Sequence, residues 1–435
     1  MQGNSLFASK QPIIRVLISK NKTIRIRSDK SLPLTISGGR FSNKKIRGLT
    51  LKSNNTEKIL FFDENKKNIY SLKKKQKFQV KSADKRGIWV GQKRYSGKLN
   101  LYVINSDILV INVIGIEQYL SSVVGSEMPT KWPMEALKAQ AIASRTYAMK
   151  QKGNNFYDID STQKNQVYDG LEAMTKKTTL AVRSTRSLVL TYKNKLINAL
   201  FHSSSGGMTE NSQDVWQNAY SYLSSVRDFD KTNPKLKWKR NFSYESLQEL
   251  FPTIGGVNRI NILDITKTGR VKNIELHGSK GSKKISGTEF RKLMNLNSTL
   301  VRFEFIEEKS NENLIESAPD KLKNENSIYF VKMGDSLYDI ADSYKVSVDE
   351  IVALNGIKDP SLININQRLL IPISLENNLI PIKKTLVATG IGSGHGVGMS
   401  QWGARYMALK GEKAGDILRH FYKGIRIIPF KKYYL

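Results

Sequence analysis

The feature that most constrains this chain is a change of hydrophobic period near residue 116. Between residues 12 and 116 the apolar residues fall in short runs, at 13–19, 23–27, 78–82, 87–90, 99–104 and 108–113. Short β-branched runs bounded by turn residues read as strands. The Gly38-Gly39 and Asn54-Asn55 pairs supply turns, because both residue types tolerate positive φ. This β-rich part carries no catalytic constellation. Past residues 117–124 the spacing lengthens. Residues 134–150 contain neither Gly nor Pro, and Met134, Leu137, Ala141, Ser144 and Ala148 recur at about 100° per residue, which predicts a helix. Pro133 is expected at its first position, where a missing N–H costs nothing. Arg145 borders the apolar face. A partly buried guanidinium needs a carboxylate or a bound anion, so Arg145 is either a structural tie or a site residue. Strands followed by helices predict an α+β fold with a β-rich N-terminal part and a helix-containing core.

A chain of 435 residues with 39% hydrophobic content can bury a sizeable core, and its length suggests roughly two to four domains. It has no cysteine, so disulfides and thiolate zinc sites are excluded, and four histidines are few for a histidine-only metal site. No metal or other cofactor is expected. Lys and Arg outnumber Asp and Glu by 70 to 38, a formal charge of +32, which draws the molecule to a polyanion. The lysines are scattered and no nucleic-acid module is present, so nucleic acid is not the expected partner. Anionic wall polymers or lipid headgroups fit equally well, and a Lys-, Asn- and Ile-rich composition also arises from genome base bias. Residues 1–10 lack the apolar core of an export leader. The longest apolar stretch, residues 108–116, falls far short of the ~20 residues that span a bilayer, so no transmembrane segment is expected.

Three later stretches carry chemistry. In residues 201–216, Ser203, Ser204 and Ser205 precede Gly206-Gly207 on a turn whose hydroxyls and N–H groups suit sugar recognition, with a plain loop as the alternative. Asp214 is the candidate second polar group facing a substrate. Residues 390–403 hold six glycines in fourteen positions, which brings backbone close to a ligand or a neighbouring strand. The Lys-Ser/Thr ending of a phosphate loop is missing. This stretch is read as one wall of a groove, with His395, Ser400 and Gln401 as polar contacts and Trp402 as a stacking or core residue; residues 409–422 follow as a closing helix. Residues 307–326 have the composition of a linker. Residues 329–373 then read strand, helix, helix stopped by Gly356, strand: a small βααβ module. Within it Gly334-Asp335-Ser336-Leu337 also spells a serine-esterase motif. None of the four histidines has an Asp three residues before it, so the usual partner is missing, and Asp335-Ser336 reads as a helix cap.

The run SEMPTKWPMEALKAQAIASRTYAMK closely resembles the central motif of the SpoIID/LytB family, bacterial proteins that act on cell-wall glycan. YSGKLNLYVINSDILVINVIGIEQYLSSVV before it, then FHSSSGGMTENSQDVW and GIGSGHGVGMSQWGARYMALKG, agree with further family blocks in the same order. The resemblance implies a SpoIID-type domain in two parts, residues 12–307 and 385–430. It implies a lytic transglycosylase that cleaves the bond between N-acetylmuramic acid and N-acetylglucosamine and leaves a 1,6-anhydro sugar. Glu127 maps onto the family's catalytic glutamate, and Arg145 aligns with a family arginine of the same groove. Trp132 and Met134 nearby predict an apolar setting that keeps Glu127 protonated near neutrality. Some members bind zinc around residues 201–216 through Cys and His; with no Cys, this metal is not carried over. Other members are non-catalytic enhancers of a cell-wall amidase, which is the alternative reading. Residues 327–373 resemble a LysM domain, whose glycan groove implies contacts from Gly334, Asp335, Ser336, Asn355, Gly356 and Ile357. The implied partners are peptidoglycan strands, with anionic wall polymers or an amidase beside them. The implied location is outside the cytoplasmic membrane, with a trimmed or misassigned start explaining the missing leader.

Overall fold

The computed structural model describes residues 11–430 apart from residues 30–31, 39–40, 54–58, 64–67, 73–76, 152, 217, 309–326, 333–334, 345 and 373–382. The fold is α+β. In the N-terminal part the strands alternate as a half-buried sheet demands: Phe78 and Val80 point inward while Gln79 and Lys81 point out, and Ile24 and Ile26 are buried between Arg25 and Arg27. A seven-stranded and a six-stranded sheet result. The strand Asp107–Gly115 is buried along nearly its whole length, because it lies between Ile13–Asn21 and Lys98–Ile104 and packs on both faces. The strands expected from sequence are present, and Leu34–Gly38, Phe41–Ile46, Gly48–Ser53, Ile59–Asp63 and Asn68–Leu72 join them.

Helix α1, Ile116–Glu127, follows the strand Asp107–Gly115 without a loop, and α2, Met134–Lys150, packs against it. Pro133 is the N-cap of α2 with extended ψ, not its first helical residue. α2 is buried on more than the one face its spacing predicts. It also carries Ala136, Ala139, Gln140 and Ala143 inward, because α1, α3 (Lys176–Ser184) and the C-terminal helices Gln401–Leu409 and Ala414–Phe421 all pack on it. Small side chains make that close approach possible. The helix expected over 409–422 starts later: Gln401–Leu409 is a separate helix that ends at Leu409, the chain turns at Gly411, whose φ is +94°, and Ala414–Phe421 follows.

Residues 237–308 form a second lobe with a core of its own, which includes Leu247, Phe251, Ile274, Leu276 and Phe290. The strand Lys383–Ile391 belongs to this lobe: Leu386 and Ala388 enter its core, between the strands Lys237–Phe242 and Val301–Glu308. From Val397 onward the chain is back in the first core. Glu307 and Glu308 are therefore strand and not linker. Glu308 opposes Lys383 in the antiparallel ladder, so the chain leaves this lobe and returns to it at neighbouring residues.

Residues 327–372 make the βααβ module. Ser327–Phe330 pairs with Arg368–Ile371, and the helices Leu337–Tyr344 and Val348–Asn355 cover them through Leu337, Ile340, Ala341 and Ile351. Ser347 and Glu350 form a reciprocal capping box, and Gly356 ends the second helix in the left-handed region, φ +61°. No helix among the described residues is long and apolar enough to cross a membrane.

Candidate functional site

A cavity of about 480 Å³ lies where α1, α2, the segment 163–167 and the two Ser- and Gly-rich stretches meet. Glu127 lines it as the last residue of α1. It therefore sits at the negative end of a helix dipole, not at an N-terminus, and that end disfavours a carboxylate. One carboxyl oxygen accepts the Val167 N–H at 2.8 Å, and Gln401 Nε2 stands 3.5 Å from the other. Burial outweighs both contacts and pushes Glu127 up to about 7, with Asp169 adding to the rise. The amide of Val167 is aimed by its neighbour: buried Gln166 accepts from the Tyr119 hydroxyl and donates to the Ser144 carbonyl. Trp132 is not part of the cavity wall. It packs edge-on against Trp402, with Arg405 over both rings. The aromatic walls are Tyr147, Phe201 and Trp216 instead.

Arg145 is fully buried and turned away from the cavity. Its guanidinium grips Glu117 at 3.0 and 2.7 Å and donates to the carbonyls of Leu188 and Val182. Of the two readings open from sequence, the geometry gives the structural tie. Asp214 accepts from Asn211 and faces Lys272 at 3.8 Å, so it does not face the cavity. Trp216, two residues further on, does.

The serine and glycine stretches are stitched together below the cavity. Phe201–His202 pairs in parallel with Met399–Ser400, and Ser204 and Ser393 exchange backbone hydrogen bonds. Gly394 must be glycine: its φ is +111°, and a Cβ would meet that of His202 at 2.6 Å. Only Ser203 of the three serines lines the cavity. Ser204 accepts from Asn233, and Ser205 donates to His202 Nε2. Ser400 caps the helix Gln401–Leu409. These three are structural because the loop turns them inward, where their hydroxyls satisfy buried groups. Asp228 below them is pushed up to about 6 by burial and by Asp230 beside it. His395 lines the cavity, but its Nδ1 accepts the Val397 N–H and its ring also bonds the Phe201 carbonyl. Burial holds its pKa down to about 3, so a neutral ring packed edge-on against Trp216 is what it presents. Gln401 lines the cavity beside Glu127.

Residues that sequence reasoning missed include Tyr147, Asn165, Val167, Trp216 and Arg291. Val167 acts through its backbone and leaves no side-chain signal. Trp216 is an exposed aromatic at the end of the serine-rich stretch 201–216, a position that marks it in the sequence as a candidate sugar contact.

In the βααβ module, Asp335 accepts from the Tyr329 hydroxyl and the Lys332 N–H, and Ser336 bonds Asp339. Asn355 holds the Ile351 and Leu370 backbone, and Ile357 packs on the module core. Gly334 lies outside the described residues.

The molecule thus joins an α+β core with a polar, aromatic-walled cavity to a small βααβ module. A family model described as stage II sporulation protein matches residues 104–192, and a LysM domain model matches residues 329–372. The stage II sporulation protein D of Bacillus amyloliquefaciens is 30% identical over 335 residues, 72% of this chain and 74% of the relative. An amidase enhancer of Bacillus subtilis is 28% identical over 72% of this chain and 40% of its own length. An uncharacterised protein of Brachyspira hyodysenteriae is 28% identical over 78% of this chain and 73% of the relative. The chain belongs to the SpoIID family and carries a LysM domain, a make-up that fits peptidoglycan binding.

Proposed function

We propose that this protein is a peptidoglycan lytic transglycosylase acting outside the cytoplasmic membrane, with Glu127 as its acid and base. The observation that carries the reading is that Glu127 is the one carboxyl lining the cavity among the described residues, held near pKa 7 by burial. Hydrolytic glycosidases use two carboxyls, the second to activate water or attack the sugar. A single carboxyl suits an intramolecular route. Protonated Glu127 gives its proton to the glycosidic oxygen as the bond to C1 of N-acetylmuramic acid breaks. The resulting carboxylate then takes the proton of the same sugar's C6 hydroxyl, whose oxygen bonds C1 and closes the 1,6-anhydro ring. Water enters neither half, and the enzyme ends in the protonation state in which it began. Trp216 and Tyr147 offer faces for sugar rings, and Ser203, Asn165 and Gln401 offer hydrogen bonds. The LysM module, through the loops around Asp335, Ser336, Asn355, Gly356 and Ile357, keeps the chain on glycan.

Mass spectrometry of purified glycan strands after incubation tests this, with 1,6-anhydro ends expected. The name of the amidase enhancer relative favours a second reading, a non-catalytic wall-bound protein that stimulates an amidase. On that reading no anhydro ends form, and Glu127→Gln leaves the stimulation intact.

A further inference from the structure

Arg291 enters the cavity from the second lobe, on the helix Gly287–Leu293. Its Nε donates to the carbonyls of Leu296 and Asn297 at 3.2 and 3.1 Å, which fixes the plane of the guanidinium. Among the described residues no carboxylate pairs with it, and its terminal nitrogens have no protein hydrogen-bond partner. The other inward arginines differ. Arg145 grips Glu117, and Arg270 lies 4.0 Å from Glu210. Glu127 does not serve as the counter-ion, since its oxygens face Val167 and Gln401. Arg291 is half-buried, and burial lowers its pKa; burial also holds down those of His202 and His395, and the charge of Arg291 adds to both. The cation is thus felt inside the cavity, beside two neutral imidazoles. Lys164, the other basic residue of the lining, is exposed and solvated.

Arg291 is half-buried and its free terminal nitrogens open into the cavity, where they are available to an anion, and the arginine fork matches a carboxylate with two parallel hydrogen bonds. We propose that Arg291 anchors the lactyl carboxylate of an N-acetylmuramic acid unit and so sets the register of the strand in the cavity. This rests on the reading of the cavity as a glycan site. The stem peptide occupies the lactyl carboxyl as a neutral amide, so the pair forms on strands freed of stem peptides; there N-acetylmuramic acid carries a carboxylate, N-acetylglucosamine carries none, and the two sugars alternate along the strand. Only one register puts a carboxylate on Arg291, and that register decides which of the two alternating glycosidic bonds meets Glu127. Arg291 is in this sense the specificity determinant of the cavity.

The test compares N-acetylmuramic acid with its neutral methyl ester by isothermal titration against the full chain carrying Glu127→Gln. The acid is expected to bind about tenfold or more tightly, the worth of one charge-assisted pair. Arg291→Gln should remove the difference, and Arg291→Lys, which keeps the charge but not the fork, should restore part of it. Equal affinities for acid and ester with Arg291 in place, or no binding of the acid at millimolar concentration, overturn the proposal whether or not the variants fold. If the unaltered chain makes anhydro ends and acid and ester bind alike, the Arg291 assignment alone fails. If acid is preferred and no anhydro ends form, the chemistry assigned to Glu127 fails instead.

Discussion

At the scale of single residues, Glu127 is the group whose ionisation the fold resists. Its folded pKa of about 7 lies above the ordinary 4.5, so between those values the folded state holds a proton that the unfolded state has lost. Stability contributed by the protonated form is complete below 4.5 and falls as pH rises through 7. Glu127→Gln should therefore leave the melting temperature unchanged at pH 4 and raise it at pH 8, by at most about 3 kcal/mol of stability. Unchanged melting at both pH values would mean that the carboxyl is well solvated. The same shift fixes the activity profile. The first step needs the protonated acid, so kcat/KM should fall tenfold per pH unit above about 7, and a plateau extending to pH 9 would contradict the assignment. Arg145 works in the opposite sense. Removing it leaves Glu117 uncompensated, and Arg145→Ala should cost about 3–5 kcal/mol while the folded fraction keeps its cleavage rate. A large loss of rate at full stability would return Arg145 to the site.

At the scale of elements, the site depends on how closely α1 meets the segment after residue 160. Gly125, in the last turn of α1, would carry a Cβ only 1.9 Å from the Ala173 carbonyl. Gly125→Ala should push that segment away at about 1–3 kcal/mol and draw the Val167 amide off Glu127, so thermal melting and cleavage should fall together. A variant with normal melting and normal rate would show the contact to be slack. The elements that sequence reading captured are those whose signals are local: the strands Ile13–Asn21 and Lys98–Ile104, the helix α2, and the LysM helices with the Gly356 stop of the second. Glu127 itself was legible through the motif around it. Tertiary facts were not. Arg145 shows no preference between a carboxylate and a ligand until Glu117 is placed against it, and Val167 contributes an amide that any residue would supply. The second lobe went unseen as a separate core because its strand Arg259–Ile265 is mostly exposed and carries no buried alternation.

At the scale of the whole molecule, the LysM module is joined through a strand pair in which Glu308 faces Lys383. Replacing residues 309–382 with a short Gly/Ser link should leave that ladder and the second lobe intact. Cleavage of soluble strands should persist while binding to intact wall weakens, because tethering raises the effective concentration at an insoluble substrate. An unfolded remainder would show that the lobe needs the module. The central claim concerns the cavity that the first core and the second lobe line together, and product analysis tests it most directly. Purified glycan strands incubated with the unaltered chain and with Glu127→Gln should give 1,6-anhydro ends by mass spectrometry in the first case only, with both proteins folded and wall-bound. Anhydro ends from the Glu127→Gln protein, or none from either, would contradict the account.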